Sequence, residues 1–144
     1  IGSKKDIEIP KEIMENGEFQ KRCVVGIIDT DFNITKFLAI SGKMNNLLVL
    51  KEMHKILEKN KIPHKFRLYD KYGRFYINKE GAIKIIEEWK LNNPKHISKY
   101  EVVQEFGKFI PFSTTPERLA LLDGKLDIEK LEKICKKRAS VKAL

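Results

Sequence analysis

From Glu18 to Thr30 apolar residues return every three or four positions, at Phe19, Cys23, Val24, Ile27 and Ile28, which predicts a helix. Before it, "IEIPKEIMEN" opens strand-like, and Pro10 starts a short helix that Asn16-Gly17 breaks. After it, Asn33 to Ser41 alternates. Ile34, Leu38 and Ile40 share one parity; Asn33, Thr35, Phe37, Ala39 and Ser41 share the other, which predicts a strand. Met44 to Ile62 is the clearest amphipathic helix, with Leu47, Leu50, Met53 and Leu57 inward and Lys51, Lys55 and Glu58 outward. Pro63 ends it. His64 to Lys79 reads as a hairpin turning near Tyr72-Gly73. A helix follows with Ala82, Ile83, Ile86 and Trp89 inward. Pro94 and Gly107 bracket another. Pro116 and Gly124 frame a third, and Asp127 caps the last.

The order predicts an α+β fold, an antiparallel sheet covered by helices on one face, with extra C-terminal helices. A chain of 144 residues suits one sizeable core. "IPFSTTP", residues 110–116, is the best hinge. The expected division is residues 1–109 as the main domain and 110–144 as a C-terminal helical extension. No internal repeat is visible.

Charge narrows the function. The chain holds 29 basic and 20 acidic residues, a net charge of +9, which favours a polyanionic partner. No apolar run is long enough to span a membrane and no basic amphipathic anchor stands out, so nucleic acid is preferred to a membrane. Cys23 and Cys135 are too few and too far apart for a disulfide framework or zinc site, and a reducing cytoplasmic compartment is the default. The three histidines show no metal-ligand spacing.

The hairpin sorts by parity. Phe66, Leu68, Phe75 and Ile77 are apolar; Lys65, Arg67, Tyr69, Lys71, Arg74, Tyr76 and Asn78 are basic, aromatic or polar. A half-buried sheet always has a polar outer face. The excess of cations adds a second reading, a ribbon fitted to a DNA groove. Arg67 and Arg74 would read guanine edges while Lys65 and Lys71 hold phosphates. Thr35 on the preceding strand is a further candidate contact.

The stretch "RCVVGIIDTDFNI" carries two penalties. Gly26 weakens a helix interior by about 1 kcal/mol, and Asp29 and Asp31 oppose the dipole at its C-terminus by roughly 0.3–1 kcal/mol. Phe19, Cys23, Gly26 and Thr30 lie along one stripe whose last three members are small, which lets another helix approach closely. The two aspartates point in different directions, so one metal is not gripped by both. One caps or turns; the other projects at the edge of the basic sheet, where a divalent cation and phosphate would neutralise it. The plain alternative is an Asp-rich helix end with no metal.

Val24-Val25-Gly26-Ile27-Ile28-Asp29-Thr30-Asp31 resembles the signature of the LAGLIDADG homing endonuclease family. "IPKEI", "LAISGKMNNLLVLKEMHKILEKNKI" and "NNPKHISKY" also look like its archaeal and intein-borne members, so the similarity runs from Ile9 to at least Tyr100. The resemblance implies an α-β-β-α-β-β-α fold, working as a homodimer or with a second LAGLIDADG half. Two motif helices would pack at the axis through Cys23, Gly26 and Thr30, above a saddle-shaped sheet on double-stranded DNA. It implies that Asp31 holds Mg²⁺ at the scissile phosphate, that Asp29 is structural, and that Lys79 assists. The implied reaction is metal-assisted phosphodiester hydrolysis, one cut per half-site.

The chain departs from that pattern twice. Phe32 stands where glycine is usual and would crowd the metal or phosphate. Phe32 to Lys43 has room for one good strand where the family places a hairpin. Both departures favour the alternative of a catalytically inactive nucleic-acid-binding module, a regulator or RNA maturase. A protein-interaction domain with incidental charge is the third possibility. "KICKKRASVK" is basic, a solvated terminus or a phosphate contact.

Overall fold

A computed structural model of the chain describes residues 16–143. The strand-like piece and the Pro10 helix expected before Asn16 lie outside them. The chain forms two compact units that divide between Asn92 and Asn93.

In the first unit, α1 spans Gly17–Asp31. The Asn16 side chain caps it, accepting from the Glu18 and Phe19 amides at 3.0 and 3.1 Å. β1 is Asn33–Ile34, β2 Ile40–Met44, α2 Leu47–Lys59, β3 His64–Leu68 and β4 Gly73–Ile77. α3, Lys79–Lys84, continues as a wider π-helical turn, Ile85–Lys90. The four strands form one antiparallel sheet in the order β1-β2-β4-β3. The class is α+β. Val24 and Ile28 of α1, Leu50, Met53, Ile56 and Leu57 of α2, and Ile40, Phe75 and Ile77 of the sheet are all buried. This apolar side supplies the main stabilisation, about 1.5–3 kcal/mol per fully buried large side chain.

Asn33 to Ser41 is not one strand. It is a hairpin, pairing Asn33 with Ser41 and Ile34 with Ile40. The cause is local. The Thr35 hydroxyl accepts from the amides of Phe37 and Ala39, both at 3.2 Å, and the Thr35 amide donates to the Ala39 carbonyl at 2.8 Å. Such side-chain bonds offer the backbone an alternative to a ladder. Leu38 adopts φ 58° and is buried, which pins the turn. Phe32 to Lys43 therefore holds two strands.

Phe32 does not crowd the outer face either. It ends α1, its amide donating to the Ile28 carbonyl at 3.2 Å, and its ring turns into the core, 2% exposed. The ring lies 6.1 Å from that of Phe75. It also covers Gly42, where an added Cβ would stand 2.6 Å from it. An aromatic residue after the motif is accommodated because β2 has no side chain at that point.

The second unit contains α4 (Pro94–Phe106), α5 (Thr115–Leu122) and α6 (Ile128–Ala143). Val102 of α4 shares a core with Ile110, Leu121, Leu131 and Cys135. For that reason α4 belongs here, whereas an extension beginning at residue 110 would leave it in the first domain. Gly107 closes α4 at φ 73°, a conformation that suits glycine. Thr114 and Glu117 form a reciprocal cap on α5. Arg118 is buried, and its guanidinium donates to Ser98 Oγ at 2.8 Å and to the Ser113 carbonyl at 2.6 Å. Among the described residues no helix is long and apolar enough to cross a membrane.

Candidate nucleic-acid interface

Alternation along β4 decides the outer face of the sheet. Gly73, Phe75 and Ile77 are buried; Arg74 and Tyr76 are exposed. Their cross-strand partners share that face. Arg74 sits opposite Arg67 of β3 and Lys43 of β2, and Tyr76 sits opposite Lys65 and Ser41. Three cations thus form one row across three strands, Lys43–Arg74–Arg67. Asn33 of β1 and Asp31 at the end of α1 join them in an open groove of about 950 Å³. At its end the β3–β4 loop stacks Tyr69 on Tyr72, with ring centroids 4.7 Å apart. Lys43 and Arg74 approach the Tyr72 ring to 5.5 and 5.9 Å.

The groove gathers Asp31, Lys65, Arg67, Tyr69, Arg74 and Tyr76 from the expected set. Four others fall outside its lining. Thr35 spends its hydroxyl oxygen on the hairpin turn. Lys71 lies in the loop and borders a separate hollow with Asn45, Leu47 and Leu48. Asn78 caps α3 by accepting from the Gly81 amide at 3.1 Å. Lys79 is the exposed first residue of α3. Lys43, Ser41 and Asn33 were not expected as contacts. Asn33 and Ser41 were legible as one parity; Lys43 continues it two residues on.

Asp29 and Asp31 separate as their spacing requires. An Asp29 oxygen accepts the Asn92 amide at 2.9 Å, a structural bond. Asp31 lines the groove, with Thr30 Oγ1 at 3.3 Å. Thr30 also donates to the Gly26 carbonyl at 2.9 Å.

Phe19, Gly26 and Thr30 are exposed on α1, and Cys23 is half-buried, its thiol pKa raised by desolvation. A Cβ added at Gly26 would meet nothing within 4 Å. The chain's own packing therefore does not require a glycine there. His54 and His64 do meet, Nδ1 to Nε2 at 2.7 Å, yet among the described residues no three His, Cys, Asp or Glu side chains could hold one metal ion.

No protein-family model, curated protein or solved structure matches this chain.

Proposed function

We propose that this protein binds double-stranded DNA on the outer face of its sheet and cleaves it as a homing-endonuclease-like dimer or pseudo-dimer. One observation carries the proposal: one carboxylate, Asp31, lines the same groove as the cation row Lys43–Arg74–Arg67. One carboxylate in a groove lined by several cations suits phosphate plus a divalent ion better than a neutral ligand. The helix–strand–strand–helix–strand–strand–helix order of the first unit supports the same assignment.

The donor set suits Mg²⁺, which takes one or two carboxylates and completes its shell with phosphate and water. Bound by Asp31 beside a DNA phosphate, such an ion would polarise the phosphate and lower the pKa of a water. The protein's own groups bind and orient. Lys43, Lys65, Arg67 and Arg74 neutralise phosphates or reach guanine edges, and Tyr76, Ser41 and Asn33 offer hydrogen bonds. The exposed α1 face, small at Gly26, would receive the same face of a second copy and so supply the second Asp31. Lys79, outside the groove lining, is given no role.

A catalytically silent nucleic-acid binder is the second reading. It is favoured by the cation row Lys43–Arg74–Arg67, which can hold phosphates with no metal ion. Incubation with a plasmid library and Mg²⁺, with sequencing of the broken ends, separates the two. Site-specific breaks lost in Asp31→Asn, with binding retained, support the enzyme. Salt-sensitive binding without breaks in Mg²⁺ or Mn²⁺ supports the silent binder. Absence of salt-sensitive binding to any nucleic acid sinks both.

A further inference from the structure

We propose that the outer face of α6 is a second contact for duplex DNA, indifferent to sequence and separate from the groove of the first unit. Lys130, Lys133, Lys136 and Lys137 carry it, and all four are exposed. At helical periodicity they occupy one arc, opposite the buried Leu131 and Cys135. Lys130 and Lys137 are about 10 Å apart along the axis.

Glu129 is exposed on the same arc and offsets one of the four charges, which leaves an excess of three; the other nearby acids are engaged elsewhere. Glu132 pairs with Lys108 at 2.8 Å, and Glu117 of α5 takes Arg138 at 2.6 Å. Among the described residues no carboxylate comes within 4.0 Å of any of the four lysines. Residues three and four apart on a helix are neighbours, so these like charges repel one another. A polyanion relieves that repulsion and releases counterions as it binds.

The arc also selects the kind of polyanion. It carries no aromatic side chain on which single-stranded bases could stack. The major groove of B-DNA admits a helix, with phosphates on both walls, whereas that of duplex RNA is too narrow. Lysine is a point charge on a flexible stem, suited to phosphates more than to base edges.

The test uses the full chain and a fluorescein-labelled duplex of arbitrary sequence, titrated from about 50 to about 300 mM KCl. Lys130→Gln/Lys133→Gln/Lys136→Gln/Lys137→Gln should flatten the plot of log affinity against log salt by about 3 to 4. The pair Lys133→Gln/Lys137→Gln should remove about half of that change. Lys51→Gln/Lys55→Gln, on α2, serves as a control for lost net charge, and circular dichroism checks the helix content of each variant. A four-lysine slope no flatter than the control's overturns the proposal. So does wild-type protein that fails to bind duplex DNA, or that prefers duplex RNA or single strands through the same lysines. Arg67→Gln/Arg74→Gln keeps the two claims apart. If it leaves the slope unchanged while the α6 variant flattens it, the groove assignment fails and this one stands.

Discussion

Arg67 and Arg74 stand directly opposite each other across β3 and β4, and Lys43 opposes Arg74 from β2. Like charges in directly opposed cross-strand positions destabilise a sheet by roughly a few tenths of a kcal/mol each. Arg74→Gln should therefore stabilise the free protein by about 0.5 kcal/mol, and added salt should narrow the gap by screening the wild-type row. The same change should weaken duplex DNA binding roughly tenfold, the lower end for one lost bidentate contact. Denaturant melts and anisotropy titrations on both proteins check this. Unchanged DNA affinity in a stabilised variant would mean that the row serves something other than DNA.

Phe32 and Gly42 are coupled by space. A methyl at position 42 would come within 2.6 Å of the Phe32 ring. Gly42→Ala should cost about 1–3 kcal/mol, the usual range for overpacking. Phe32→Leu alone should also destabilise, but the double variant should be less unstable than the sum of the two. A double-mutant cycle from urea unfolding reads the coupling directly. Strict additivity would show that the ring does not cover this glycine.

The helices and the β3–β4 hairpin were legible because long periodic runs and a strict apolar parity leave few alternatives. The turn at Thr35 was not. It contains no glycine, proline or Asn-Gly step, and it is made by one hydroxyl accepting two amides while Leu38 takes a left-handed conformation. Read by alternation alone, such a segment is a single strand. That misreading also ended the strand at Ser41 and hid Lys43, whose place beside Arg74 depends on β2 continuing to Met44. Lys71 and Asn78 were assigned by parity beyond the ends of their strands, where loop and cap geometry replace it. The cost of a carboxylate at a helix end marks Asp29 and Asp31 alike, and only the resemblance to the LAGLIDADG signature singles out Asp31.

Gly26 separates stability from association. An added Cβ meets nothing within 4 Å, so Gly26→Ala should stabilise α1, by up to about 1 kcal/mol, with no clash inside the chain. Gly26→Leu should fold equally well yet block close approach of a second helix. Sedimentation should show a wild-type dimer, alone or on duplex DNA, and a Gly26→Leu monomer. A wild type that stays monomeric in both conditions would leave Asp31 without a twin, and paired cleavage would be lost with it.

Glu117 and Arg138 set an acid limit on the second unit. Two guanidinium nitrogens of Arg138 reach the two carboxylate oxygens at 2.6 and 2.9 Å, and the Thr114 amide donates to one of them at 2.9 Å. The Arg138 bond, aided by Thr114 and opposed by partial desolvation, lowers the Glu117 pKa from 4.5 to about 2. Between those values the unfolded chain binds the proton and the folded chain does not. The stabilisation is thus complete above 4.5 and is lost as pH falls toward about 2. Arg138 also donates to the Phe112 carbonyl at 2.9 Å, so protonation of Glu117 loosens the loop before α5 as well as the pair. Urea unfolding followed by circular dichroism at stepped pH should show a wild-type slope across this window that flattens in Glu117→Gln. Equal slopes would mean that other carboxylates govern acid unfolding and that the pair contributes only geometry.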